Sequence, residues 1–100
     1  MTARKYVDAT LRANPKYADA WAELGLLQTR QGKYKEAEQA LQKALALDAD
    51  NYQATVNLTA LFTRTRDPRL EAQAARLAAL QQKRGERAQD FIRGVEVVPQ

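Results

Sequence analysis

The stretch Ala18-Asp19-Ala20-Trp21-Ala22-Glu23-Leu24-Gly25 decides the fold, together with Gln31-Gly32-Lys33-Tyr34-Lys35-Glu36-Ala37 and Lys43-Ala44-Leu45-Ala46-Leu47-Asp48. Trp21, Leu24 and Leu27, with Ala20 and Gly25, recur at the 3.6-residue period of one helix face. Gly32 stands just past that stripe, where helices favour a left-handed residue. A second stripe follows over residues 35–47, built from Ala37, Ala40, Leu41, Ala44 and Leu45. Helices joined by so short a turn lie antiparallel. Gly25, Ala20, Ala37 and Ala44 permit close approach, while Leu and Trp fill the gaps.

The pattern repeats. Sliding the chain by 34 residues places Ala3 on Ala37, Leu11 on Leu45, Ala20 on Ala54, Leu24 on Leu58 and Leu27 on Leu61. The coarse reading is therefore helical throughout. A first helix is expected over residues 3–13, with Val7 and Leu11 four apart, stopped by Asn14-Pro15. A second spans 18–31 and a third 35–47. Asp48-Ala49-Asp50-Asn51 forms a loop that caps a fourth helix over 52–64, with Ala54, Leu58, Leu61 and Phe62 inward. Asp67-Pro68 reads as a cap and first-turn proline for a fifth helix over 69–84, with Leu70, Ala74, Leu77 and Leu80 inward. Gly85 is a candidate break, with 86–93 continuing or restarting the helix. The tail Val95-Glu96-Val97-Val98-Pro99 alternates and favours extended backbone.

Composition narrows the function. One hundred residues of 11.2 kDa, 45% hydrophobic and 28% charged, make one domain with a core. The chain has no Cys, which excludes disulfides, thiolate zinc sites and thiol nucleophiles. It has no His, which removes the commonest general base and metal ligand. No cofactor is expected. The net charge of +4 divides into +3 over residues 1–17, −1 over 18–65 and +2 over 66–100. The excess sits at the ends rather than in a block, and Trp21 and Phe62 lack basic interleaving, so the footprint argues against nucleic acid. No apolar run approaches the ~18 residues of a membrane span, and no signal peptide is expected in this chain.

At Trp21, Leu24-Gly25, Gly32-Lys33-Tyr34-Lys35-Glu36-Ala37 and Ala44-Leu45-Ala46-Leu47-Asp48, residues 18–51 resemble the tetratricopeptide repeat. The resemblance implies an all-α superhelix of antiparallel helix pairs, a solenoid fragment with a C-terminal capping helix. Residues 3–17 look like half of a preceding repeat ending in Asn14-Pro15. Residues 52–84 look like a divergent repeat and 85–94 like a cap, so that 1–94 form one domain and 95–100 a tail. The chain departs from the family pattern at Gln28, usually aromatic, and at Ala49, usually Pro. Thr55 stands where the next repeat would carry its Trp, and Thr59 where it would carry its Gly.

In this family the first helix of each pair lines a concave groove. Carried over, Asp19, Ala22, Leu26, Thr29 and Arg30 would line it from one repeat. Gln53, Val56, Asn57, Ala60, Thr63 and Arg64 would line it from the next. The expected function is non-catalytic: a scaffold holding a peptide or helix of a protein partner, with Arg30 and Arg64 as a basic rim. Leu26, Val56 and Ala60 are apolar outside the packing stripe, as partner sites often are. The family's carboxylate clamp is not reproduced, because Ala22 and Leu26 stand at its Lys and Asn positions and only Asn57 matches. Asp48, Asp50 and Asn51 lack the spacing, Gly turn and closing Glu of a calcium loop. Asp19 with Glu23, and Glu36 with Glu38, have no nucleophile or base converging on them and read as surface charges. The alternative reading is a homodimer, through Tyr6, Val7 and Leu11 or through Val95, Val97 and Val98; behind it stands an anionic-surface or nucleic-acid binding domain acting through the charges at the two ends.

Overall fold

The computed structural model describes residues 3–96, with side chains described for residues 3–86. It contains α1 (Ala3–Ala13), α2 (Ala18–Arg30), α3 (Tyr34–Leu47), α4 (Tyr52–Thr65) and α5 (Leu70–Glu96), and no strand among the described residues. The all-α helical-repeat expectation therefore holds. α2 packs on α1, α3 and α4, and α4 packs on α2, α3 and α5. Neither α1 and α3 nor α3 and α5 bring their backbones together. Two layers result: α2 and α4 side by side, and α1, α3 and α5 spread behind them. The wider spacing of the rear layer puts it on the outside of the curve and α2 and α4 on the inside.

The helix ends follow from local chemistry. The Asn51 side chain accepts the Ala54 N–H at 2.8 Å, which caps α4. Asp67 accepts the Arg69 N–H at 2.8 Å just ahead of α5. After α2, Gly32 adopts φ +78° and Lys33 N–H donates to the Gln28 carbonyl at 2.9 Å. After α4 the same turn recurs 34 residues on: Arg66 adopts φ +54° and Asp67 N–H donates to the Phe62 carbonyl at 2.9 Å. A side chain thus occupies a left-handed position that Gly32 fills without steric cost.

Leu41, Leu58 and Leu61 are fully buried, with Ala22, Ala37, Ala44 and Ala54 enclosed between them and Phe62 beside them. A second cluster, Val7, Leu24 and Ala40, joins α1 to the α2–α3 pair, and Trp21 packs against both clusters. At Gly25, an added Cβ would lie 2.5 Å from Cγ of Leu41 and 3.2 Å from the Ala37 carbonyl. The glycine is where α3 comes down on α2.

Two expectations are corrected. At Gly85, where the sequence leaves both courses open, α5 runs on unbroken. One interior glycine costs only about 1 kcal/mol against Ala, and no second breaker adjoins it. Val95 and Glu96 belong to α5 rather than to an extended tail, while residues 97–100, with Val97 and Val98, lie outside the described residues. On α5 the inward polar residue is Gln73, buried, whereas Ala74 is exposed. Leu70, Gln73, Leu77 and Leu80 make the inner face at spacings of three, four and three.

Two substitutions test these constraints by thermal or urea unfolding. Gly25→Ala gains helix propensity but must displace Leu41, and is expected to destabilise by about 1–3 kcal/mol. Arg66→Gly relieves the left-handed backbone and is expected to stabilise by up to about 1 kcal/mol. A stabilised Gly25→Ala or a destabilised Arg66→Gly would contradict the respective account.

Candidate functional site

The inner layer is assembled by polar ties between α2 and α4. The Asn51 Nδ2 donates to Asp19 at 2.6 Å, and Gln53 Nε2 donates to Glu23 at 3.0 Å. Asn57 Nδ2 donates to the Ala22 carbonyl at 3.2 Å, and Arg64 reaches the Thr29 carbonyl at 3.4 Å. Each tie spans 30 to 35 residues, so the 34-residue period brings these groups together.

The eleven expected groove residues divide on this layer. Ala22, Thr29 and Asn57 are buried in the α2–α4 seam and closed to a partner. The close approach of the two helices covers them, and Thr29 Oγ1 donates to the Gly25 carbonyl at 2.8 Å. Asp19, Arg30, Ala60, Thr63 and Arg64 are exposed, and Leu26, Gln53 and Val56 are half-buried. Leu26 and Val56 belong to neither core cluster. Asp19, Glu23, Leu26 and Arg30 follow one face of α2, acidic at its first turns and basic at its last.

The face extends further toward α1 than the sequence reading placed it. A cavity of about 500 Å³ lies between α1 and α2, lined by Tyr6, Val7, Thr10, Tyr17, Asp19 and Glu23 among others. Tyr6 is 67% exposed and Tyr17 46%. The period carried the signal for this extension. Tyr17, Asp19, Glu23 and Arg30 stand 34 residues before Asn51, Gln53, Asn57 and Arg64, the residues with which α4 grips α2. α2 therefore presents on one side the positions that α4 uses to hold a helix. Val7 is buried and Leu11 half-buried, so of the proposed self-association seam Tyr6 is the exposed member.

Several charged residues outside this face are tied into the framework. Arg69 makes two 2.8 Å bonds to the Glu38 carboxylate, contacts Asp67 at 2.9 Å and lies 4.4 Å from the Phe62 ring centroid. The Arg69 side-chain bond holds the Asp67 carboxyl below its ordinary 3.8, helped by the Arg69 N–H. Asp67 and Glu38 in turn raise the Arg69 guanidinium above its ordinary range. Glu23 accepts a bond from Gln53 and Glu38 pairs with Arg69, so these carboxylates are engaged in structure. In the 48–51 loop, Asp48 accepts the Asp50 N–H at 3.2 Å and Lys83 pairs with Asp50 at 2.7 Å. Among the described residues, no group of three or more His, Cys, Asp or Glu is placed to hold a metal ion. No helix of the described residues is long and apolar enough to cross a membrane.

These features define a class of protein: a curved stack of helix pairs whose inner layer carries a partly apolar face. A family model described as Tetratricopeptide repeat matches residues 1–54, and the chain belongs to that family. Membership points to a protein–protein interaction scaffold, and repeats of this family are generally non-catalytic. A TPR repeat-containing protein of Dictyostelium discoideum is 37% identical over 59% of this chain and 22% of its own length. Peroxisomal targeting signal receptors of Kluyveromyces lactis and Komagataella phaffii are 36% and 39% identical over 52% and 51% of this chain. In both receptors the match covers 9% of the relative, so the chain spans a small part of the curated proteins it resembles. No solved structure matches the chain significantly.

The lowered Asp67 pKa has a sign that can be measured. Its contribution is complete above the unfolded value and is lost as pH falls and the carboxylate protonates. Melting temperatures followed from about pH 6 to about pH 2 should fall more steeply for the parent than for Asp67→Asn. Coincident profiles would remove Asp67 from the acid response.

Proposed function

We propose that the chain is a docking module for a protein partner, which it holds as a peptide or helix on the inner face of α2 and α4. The observation that carries this reading is the half-buried Leu26 and Val56 beside exposed Ala60, apolar groups left outside both core clusters. The repeated gripping positions on α2 favour a helix as occupant. Asp19 and Glu23 at one end and Arg30 and Arg64 at the other give that helix a direction, its basic residues toward Tyr6 and Tyr17. Relatives named as targeting signal receptors are in keeping with recognition of a protein segment. The matched segment is short in those relatives, so affinity is expected to be modest for this chain alone.

Selection from a library of displayed peptides, each of about 15–20 residues, against the full chain tests the reading whatever the partner's identity. Selected binders are expected to lose about tenfold or more in affinity on Leu26→Glu and on Val56→Glu, with circular dichroism unchanged. Binders indifferent to both substitutions would place recognition elsewhere. Light scattering across a wide concentration range decides the homodimer alternative, and a dimer lost on Tyr6→Glu would favour it.

A further inference from the structure

Trp21 fills a cleft on the outer side of the stack, between α1 and α3. Its ring stands between two shallow clefts, one shared with Asp8, Leu11 and Arg12, the other with Ala40 and Lys43 among others. Its Nε1 donates to the Pro15 carbonyl at 2.7 Å. One period later the residue is Thr55, whose hydroxyl is turned back onto the Asn51 carbonyl at 2.8 Å. There the two clefts have become one cavity of about 370 Å³ between α3 and α5.

The walls correspond. Leu45 and Ala49 stand 34 residues after Leu11 and Pro15, and both line the cavity. On α5, whose inner face is offset by one residue, Gln73 and Arg76 take the places of Ala40 and Lys43. Gln73 is 4% exposed, as Ala40 is, yet its amide bonds to no described group and lines this cavity. Among the described residues the buried side-chain polar atom without a partner is Gln28 Oε1, so the Gln73 amide opens onto the cavity rather than standing orphaned in the core. Ala49, counterpart of the residue whose carbonyl holds the Trp21 N–H, is exposed at the edge of the cavity, and its carbonyl accepts no hydrogen bond from a described residue. Leu80 closes the apolar side, and the Lys83–Asp50 pair stands at the rim.

We infer that this outer cavity is a binding site for a planar aromatic ring bearing one N–H donor, the indole class, seated where a tryptophan of this chain would otherwise lie. The ring rests between Leu45 and Leu80, its N–H donates to the Ala49 carbonyl, and Gln73 supplies a second polar contact. Arg76 offers its guanidinium to the ring face. The site lies on the opposite side of the stack from the face of α2 and α4, so it stands or falls independently of the docking reading.

The test titrates indole into the full-length chain, followed by amide NMR shifts and by calorimetry. Saturable shifts are expected at Leu45, Ala49, Thr55 and Gln73, with a Kd of about 1 mM or tighter. 1-Methylindole, which cannot donate, is expected to bind about five- to tenfold more weakly. Thr55→Trp should raise the melting temperature and abolish indole binding by filling the cavity. Should that variant not fold, Ala79→Phe, on the exposed wall of the cavity, blocks the same space. N-acetyltryptophanamide separates the sources of such a ring. Binding as tight as indole fits a partner's tryptophan side chain, and binding of indole alone fits a free small molecule. Absence of saturable shifts up to about 5 mM indole, or shifts that survive the blocking substitution, would overturn the inference.

Discussion

The stack depends on the contact between Gly25 and Leu41. Without a Cβ at position 25, α3 sinks onto α2 until Leu41 occupies the space and the Ala37 carbonyl comes near. That depth encloses Ala22, Ala37 and Ala44 completely, which gives the α2–α3 pair an alanine-lined interior rather than a thicker layer of large side chains. The thin pair leaves α4 able to contact α2 and α3 together, and from that three-helix junction come the adjacent inner helices and the spread outer ones. Curvature is then a packing result: close spacing on one side and wide spacing on the other.

The second helix pair shows what happens when this contact is absent. Thr59 stands one period after Gly25, and its hydroxyl bonds back to the Thr55 carbonyl at 2.8 Å. No leucine of α5 sinks there; Ala74 and Ala75 are exposed. α5 is joined to the rest by its inner face, where of its leucines Leu70 packs against the core and Leu77 and Leu80 are half-buried, and by polar ties near the surface. Arg69 reaches Glu38, Lys83 reaches Asp50, Gln81 reaches Tyr52, and Arg84 lies 4.3 Å from the Tyr52 ring centroid. Exposed ion pairs contribute at most about 1 kcal/mol each and weaken with salt. α5 is accordingly the more weakly held partner, and the same deficit of packing leaves the cavity beside Thr55.

Much of this was legible in the residues because helix ends and close contacts use a restricted set of side chains. Gly32, Asn14-Pro15 and Asn51 mark their boundaries by φ preference, missing donors and a capping amide, and the helices end where those residues stand. The period in Ala and Leu gave the pairing. The groove was legible by position but not by depth. Ala22, Thr29 and Asn57 lie at inner-layer positions, yet only the α2–α4 distance decides whether such a residue faces a partner or a seam. Gln73 misleads for a related reason. The apolar pattern pointed to Ala74 as the inward residue, but the turn before α5 sets the helix phase, and that turn contains Pro68 and a left-handed Arg66.

These differences divide the molecule into a fixed side and an adjustable one. The inner face is locked by Asn51 to Asp19, Gln53 to Glu23 and Asn57 to Ala22, all between helices that share the core. A surface held in this way loses little conformational freedom when it is covered, which favours binding even over a small area. The outer cleft between α3 and α5 has no backbone contact across it, and its walls are bridged at the rim by surface charge. A group entering there would replace packing that the α1–α3 side obtains from Trp21. Occupation of the outer cleft and retention of α5 against α4 are thus linked through the same apolar surface, while the α2–α4 face rests on contacts that neither event disturbs.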